Sequence, residues 1–228
     1  MNALRYGRFA LLAAVVILFG VSYGWLRTAT SEQQANAAKD VNVEKRSMAP
    51  RQVLIIRHAE KPEDDADIHL ASRGAARAAA LPSLFLIPPT FPTKPAAFAT
   101  PEFLFAAKQS KYSNRSVETL RPLAKALADM PIDHNRADRA FQALVDDLFS
   151  ESKHAGKTIL ICWHHASLPA LALAVTAMAN NASQIKGQVP QRWGGSVFDR
   201  VWVITFDDAG NATFDDRPQR LLFGDAKK

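Results

Sequence analysis

Two short segments of the chain put histidine directly after a run of aliphatic residues. Val53 to Arg57 reads VLIIR and is followed by His58. Thr158 to Cys162 reads TILIC and is followed by Trp163, His164 and His165. A third cation, Arg115, lies in KYSNRSVETL, just ahead of a helical pattern. These residue types together suit a phosphate monoester. Its dianion is bound best by planar guanidinium groups, which offer paired N–H donors. An imidazole can attack phosphorus in line and carry the phosphoryl group as phospho-histidine. Arginines close by disfavour imidazolium and keep such a nucleophile neutral. The first free amides of the helix after Arg115 add a further anion-binding element.

For these residues to meet, the elements that carry them must converge. VLIIR and TILIC are continuous apolar runs of the kind buried on both faces of a sheet. Phe103 to Ala107 and Val201 to Phe206 read as further strands, and Thr213 to Asp215 as another, joined through Asp208-Ala-Gly-Asn211 as a hairpin. Helical spacing covers Ala71 to Phe85, Ser116 to Ala128, Arg136 to Phe149 and Leu168 to Met178, the last with Pro169 in its first turn. Prolines from Pro82 to Pro101 make the stretch between the first helix and second strand a loop. Strands alternating with helices predict an α/β fold, a three-layer sandwich with a mainly parallel sheet and helices on both faces. Ligands in such sheets bind beyond the carboxyl ends of the strands, where Arg57-His58 and the Trp163-His164-His165 segment lie.

At this point the motifs resemble a known family. VLIIRHAEKP resembles the Arg-His signature of the histidine phosphatase superfamily, which includes phosphoglycerate mutase-like enzymes. LASRGAARAAALPSLF is similar to the helix after that signature, SNRSVETLRPLA to the segment with the second phosphate-pocket arginine, and ILICWHHASLPALA to the strand with the second histidine. FDRVWVITFDDAG and PQRLLFGD resemble closing segments of one bacterial branch, so the likeness runs from about Val53 to Asp225. The resemblance implies that His58 is phosphorylated, that Arg57 and Arg115 clamp the phosphoryl oxygens, and that a second histidine stabilises the transferring group. It implies no cofactor and no metal. His165 is the expected second histidine, because Trp163 and His164 would finish the strand and the bend would begin at His165, followed by small Ala166. Counting back from Leu168-Pro169 picks His164 instead.

The general acid of mutase-like members has no clear counterpart. Glu60, Asp133 and His134 are the candidates, while Glu118 reads as a solvated charge on a helix. His69, His134 and His154 read as surface histidines. Trp163, Trp193 and Trp202 read as packing groups, with Trp193 of QRWGG a candidate for the pocket rim. Adjacent side chains rarely aim at one point, which argues against His164 and His165 both binding one metal.

Phe9 to Leu26 is an uncharged apolar run. In a helix it would rise about 27 Å, close to the hydrocarbon core of a bilayer. Arg5 and Arg8 precede it and predict a cytoplasmic N-terminus with the body exported. Residues 1–27 are therefore expected to anchor the chain through a transmembrane helix spanning residues 9–26. Residues 28–51 form a polar linker, and residues 52–228 are the catalytic domain. The alternative is a signal segment cleaved near Ala35-Asn36-Ala37, releasing the domain. The chain of 228 residues carries a net charge of +6; Arg5, Arg8 and Arg27 flank the apolar run and leave +3 for the rest, too little for a nucleic-acid footprint. The single cysteine, Cys162, excludes an internal disulfide. The expected function is a membrane-tethered phosphate monoester hydrolase acting on a phosphorylated small molecule or phosphoprotein. The alternatives are a catalytically idle phospho-ligand-binding protein and a phosphomutase. The short segment between Thr119 and Thr158 disfavours the mutase.

Overall fold

The computed structural model describes residues 48–64, 66–87 and 96–226. The expected membrane span at residues 9–26 lies outside them, and among the described residues no helix is long and apolar enough to cross a membrane.

The aliphatic runs pair as their composition predicts. Strand β1 (Gln52–Arg57) lies beside β4 (Thr158–Trp163) in parallel, from Gln52 opposite Thr158 to Arg57 opposite Trp163. Beyond β4 come β2 (Phe103–Ala106) and the two-residue β3 (Ile132–Asp133), both parallel to it. On the other side, β1 pairs antiparallel with β5 (Arg200–Phe206), which returns through a tight turn to β6 (Ala212–Pro218). The sheet order is β3-β2-β4-β1-β5-β6. The fold is a mixed α/β architecture in which four parallel strands are extended by an antiparallel hairpin. That hairpin turn is closed by Gly210 at φ 76° and by Asp207, whose carboxylate accepts the Asn211 N–H.

Alternation along β1 divides the core in two. Val53 and Ile55 face helices α3 (Phe141–Ser150) and α4 (Leu168–Thr176), while Leu54 and Ile56 face the side covered by α2 (Arg115–Ala126). Helix α1 (Ser72–Ala80) packs beside α2 on that second side, and a short α5 (Ala182–Ile185) lies on the first. Both faces of the central strands are thus dry, as continuous apolar runs require.

Several boundaries differ from expectation for physical reasons. The first helix ends at Ala80 and tightens into a single 3₁₀ turn over Leu81–Leu84, where Pro82 cannot continue the α pattern. Helix α2 begins at Arg115 and ends at Ala126; Ala128 and Asp129 follow at positive φ, a left-handed termination made without glycine. The helix expected from Arg136 starts only at Phe141. Before it, Arg136 is drawn to Asp133 and Asp147, and the Asp138 carbonyl accepts the Trp163 indole N–H.

A buried ionic cluster fastens the loop after β1. Arg77 of α1 donates to both Glu60 oxygens and to both carboxylate oxygens of Asp225, at 2.8–3.1 Å. Arg73 adds a bond to Glu60 at 3.1 Å. Helix α1 approaches this loop closely, because a Cβ on Gly74 would sit 2.3 Å from the Glu60 carbonyl oxygen.

Candidate active site

His58 and His164 leave the sheet at the same level. Arg57 and Trp163 are register partners, and the His58 N–H donates to the Trp163 carbonyl at 3.1 Å, so the next residue of each strand emerges at the same carboxyl edge. Strand β4 ends at Trp163, one residue before the expected end, and the bend begins at His164. The Ser167 and Leu168 amides donate to the His164 carbonyl and start the turn into α4.

His58 is buried, 3% exposed, and its Nδ1 lies 2.7 Å from the Ala59 carbonyl. A carbonyl only accepts, so the proton of the neutral ring sits on Nδ1 and the lone pair on Nε2. Burial pushes the His58 pKa down to about 3; the Ala59 bond opposes this, and Arg57, His164 and Arg115 reinforce it. The imidazole is therefore neutral at physiological pH, with Nε2 available as a nucleophile.

Arg57 is 2% exposed, and its Nη1 donates to the carbonyls of Gly194, Gly195 and Val197 at 3.3, 2.6 and 3.0 Å. Its Nε is buried with no hydrogen-bond partner among the described residues. The guanidinium carbon lies 3.8 Å from the ring centroid of Phe198. Burial and the charge of Arg115 lower the Arg57 pKa to about 10, with Glu60 opposing. Two cations are thus held close enough to repel, an arrangement that an incoming dianion relieves.

Arg115 opens α2 and is largely buried. Its Nη1 donates to the Asp67 carbonyl at 2.7 Å and its Nη2 to the Tyr112 carbonyl at 3.3 Å. Thr119, one turn on, links Arg115 to the loop after His58: its hydroxyl donates to the Arg115 carbonyl and accepts the Ala59 N–H, at 2.8 and 2.9 Å. The i, i+4 spacing that the sequence shows is therefore a hydrogen-bonded staple between α2 and the residue after His58.

Among the described residues, the rings set against His58 are those of His164, at 5.4 Å between centroids, and Phe198, at 6.1 Å. His165 is half-buried nearby, where burial first, then Arg57, His164 and Lys61, lower its pKa. The His164 pKa is also lowered, by burial and by Arg115 and Arg57, against the raising charge of Asp138. The structure thus gathers His58, Arg57, Arg115 and His164 around one point, with His165 at its margin.

Other expected residues lie elsewhere. Glu60 is not an available acid: burial favours its protonated form, but the bonds from Arg77 outweigh this and lower its pKa. Asp133 is likewise held by Arg136 and Asn135. Glu118 does not extend into solvent but accepts from the Leu70 amide and pairs with His69, holding the loop that receives Arg115. His154 is not on the surface; it is 1% exposed between Phe103 and Phe105. Trp193 does not rim the pocket. It packs at a tilt against Trp202 and donates to the Val197 carbonyl at 2.8 Å, so it shapes the 194–197 loop that receives Arg57. Burial pushes the Cys162 thiol pKa up, leaving no thiolate nucleophile there. Phe198 and Asp138 were not legible as site residues: Phe198 opens the FDRVWVITFDDAG segment, but nothing in its sequence shows the contact with Arg57, and Asp138 belongs to no motif. Among the described residues, no group of three or more His, Cys, Asp or Glu is gathered as for a metal ion.

No family model matches the chain, and no curated protein matches it in sequence. Similar solved structures include a protein proposed to be the phosphohistidine phosphatase SixA of Agrobacterium tumefaciens, 16% identical, TM-score 0.45, over 74% of this chain and 98% of that one. The phosphoglycerate mutase of Plasmodium falciparum is 11% identical, with TM-score 0.45, over 78% of this chain and 97% of that one. A mycobacterial glucosyl-3-phosphoglycerate phosphatase, solved with inorganic phosphate, is 11% identical, with TM-score 0.42, over 74% and 96%. These neighbours fall within the superfamily that the motifs resemble. At such identities and TM-scores they carry no argument about chemistry, which rests on the side chains.

Proposed function

We propose that the chain is a phosphate monoester hydrolase that works through a phospho-histidine on His58. The observation that carries this reading is a buried, neutral imidazole beside two buried guanidiniums at the carboxyl edge of parallel strands. Arg57 and Arg115 hold the phosphoryl oxygens, and Nε2 of His58 attacks phosphorus as the ester oxygen leaves. Water then attacks phosphorus, the Nε2–P bond breaks, and neutral His58 is regenerated with release of inorganic phosphate. His164 is the second histidine in this reading, donating to an equatorial oxygen as charge builds there. The choice of His164 over His165 is supported by its ring contact with His58.

The test is turnover of a generic aryl phosphate by the full chain in detergent with a chelator present. Turnover should persist there and be lost in His58→Ala. Activity that needs an added divalent ion, or that survives in His58→Ala, overturns the reading. We further propose that residues 9–26 tether the enzyme with its catalytic domain outside the cytoplasm, on the apolar run behind Arg5 and Arg8. A C-terminal reporter that works only after export should be active; activity only from a cytoplasm-dependent reporter reverses the topology.

A further inference from the structure

Asp138 lies in the turn before α3 and is fixed at two oxygens. Its backbone carbonyl accepts the Trp163 indole N–H at 2.9 Å, and its Oδ2 accepts the Ser167 hydroxyl at 2.8 Å. Trp163 and Ser167 are the two ends of the bend that carries His164, and the Ser167 amide donates to the His164 carbonyl at 3.0 Å. Asp138 therefore spans that bend from outside. Its other oxygen, Oδ1, is buried and has no hydrogen-bond partner among the described residues. A buried carboxylate oxygen without a donor is unfavourable unless a nearby positive charge or donor compensates it.

The charges facing His164 come from several elements. Arg57 and its neighbour ring His58 follow from β1, Arg115 comes from α2, and His165 comes from the bend itself. Asp138 is the anion that acts on His164, with the largest charge effect there, opposing both arginines. Around His165 it ranks behind Arg57, His164 and Lys61. The carboxylate, fixed on Trp163 and Ser167 at the two ends of the bend, thus bears more on His164 than on His165.

We propose that Asp138 is a positioning residue for the second histidine, bracing the bend that carries His164 and supplying the negative charge that lets this imidazole take up a proton as a phosphoryl group arrives. This rests on the phosphatase reading above. Burial, with Arg115 and Arg57, would hold His164 neutral without Asp138, and a neutral ring turned the wrong way cannot donate to a phosphoryl oxygen. The entering dianion and Asp138 together offset the two guanidiniums, and the proton comes from solvent.

Asp138→Asn separates charge from shape, because the amide oxygen can still accept from Ser167 and the backbone carbonyl is unchanged. In the full chain in detergent, with nitrogen-labelled histidine and His164→Ala to assign the signal, the His164 midpoint should fall by about one pH unit. That is a factor of about ten in the charged form, so kcat should fall about ten-fold while KM changes less than about two-fold. Asp138→Glu should recover part of both. An unmoved His164 midpoint in Asp138→Asn overturns the proposal. So does a kcat loss that removes only the alkaline limb of the pH profile, which would make Asp138 the acid for the leaving group. If the wild type turns over no phosphate ester, the phosphatase reading fails, and the titration still decides the role of Asp138.

Discussion

In the proposed reaction the nucleophile is defined by a single bond. Because Nδ1 of His58 is spent on the Ala59 carbonyl, only Nε2 would be left to attack phosphorus, and burial keeps it unprotonated. We propose His164 rather than His165 as the second histidine because its ring packs against His58, while adjacent side chains point in different directions. We expect His164→Ala to lower kcat by about 100-fold or more, in the range of a lost charge-stabilising donor, and His165→Ala to lower it far less. Measured kcat values, with folding checked by circular dichroism, distinguish the two; the reverse pattern assigns the role to His165. Arg57, His58 and Arg115 were legible in the sequence because their types and order, with Arg57 and His58 at a strand end and Arg115 at a helix start, point to one ligand. His164 was not separable from His165, because a shift of one residue in where β4 ends exchanges their directions. Asp138 and Phe198 reach the site only through tertiary contacts, with Ser167 and Trp163 for the first and Arg57 for the second.

At the scale of elements, the site depends on how the loop after β1 is fastened. Thr119 holds it from α2, and the Arg77, Glu60 and Asp225 cluster holds it from α1 and the C-terminal segment. Arg77 and Asp225 side chains are each 3% exposed, so removing one partner strands buried charge. Arg77→Ala should therefore destabilise the domain by about 3–5 kcal/mol, read as a loss in the denaturant midpoint. A change below about 1 kcal/mol would show the cluster to be solvated in solution. The main strands and helices were readable from periodicity, including the hairpin at Asp208 to Asn211. Strand β3 was not, because its two residues carry no period; its place is set by pairing with Leu104 and Phe105. The delayed start of α3 was hidden for a similar reason, since the Asp138 carbonyl bonds to a tryptophan far away in sequence.

For the whole molecule, several of these features make folding sensitive to acid. Burial lowers the pKa values of His58, His154, His164 and His165, so between their native values and about 6.5 the unfolded chain holds more protons. Stability then rises with pH across that window, and for His58 it runs from about 3 to 6.5. Asp225 acts in the same direction at lower pH. Burial would raise its pKa, but the bonds from Arg77 and the Leu221 and Leu222 amides hold it down at about 2. Its contribution is complete above the ordinary carboxylate range and is lost as pH falls towards 2. The denaturant midpoint should accordingly be lower at pH 5 than at pH 7.5, with His58 alone accounting for on the order of 2 kcal/mol. His58→Gln should flatten part of this slope. Equal midpoints at the two pH values would mean that the histidines are hydrated in solution.

The central claim is that phosphorus bonds to His58 during turnover. The direct measurement is to quench the full chain rapidly while it hydrolyses a labelled phosphate ester and to map the phosphoryl group by peptide. An acid-labile, base-stable label is expected on His58 and absent from His58→Ala. A label on any other residue, or sustained turnover with no covalent label when its breakdown is made slow enough to trap, would contradict it.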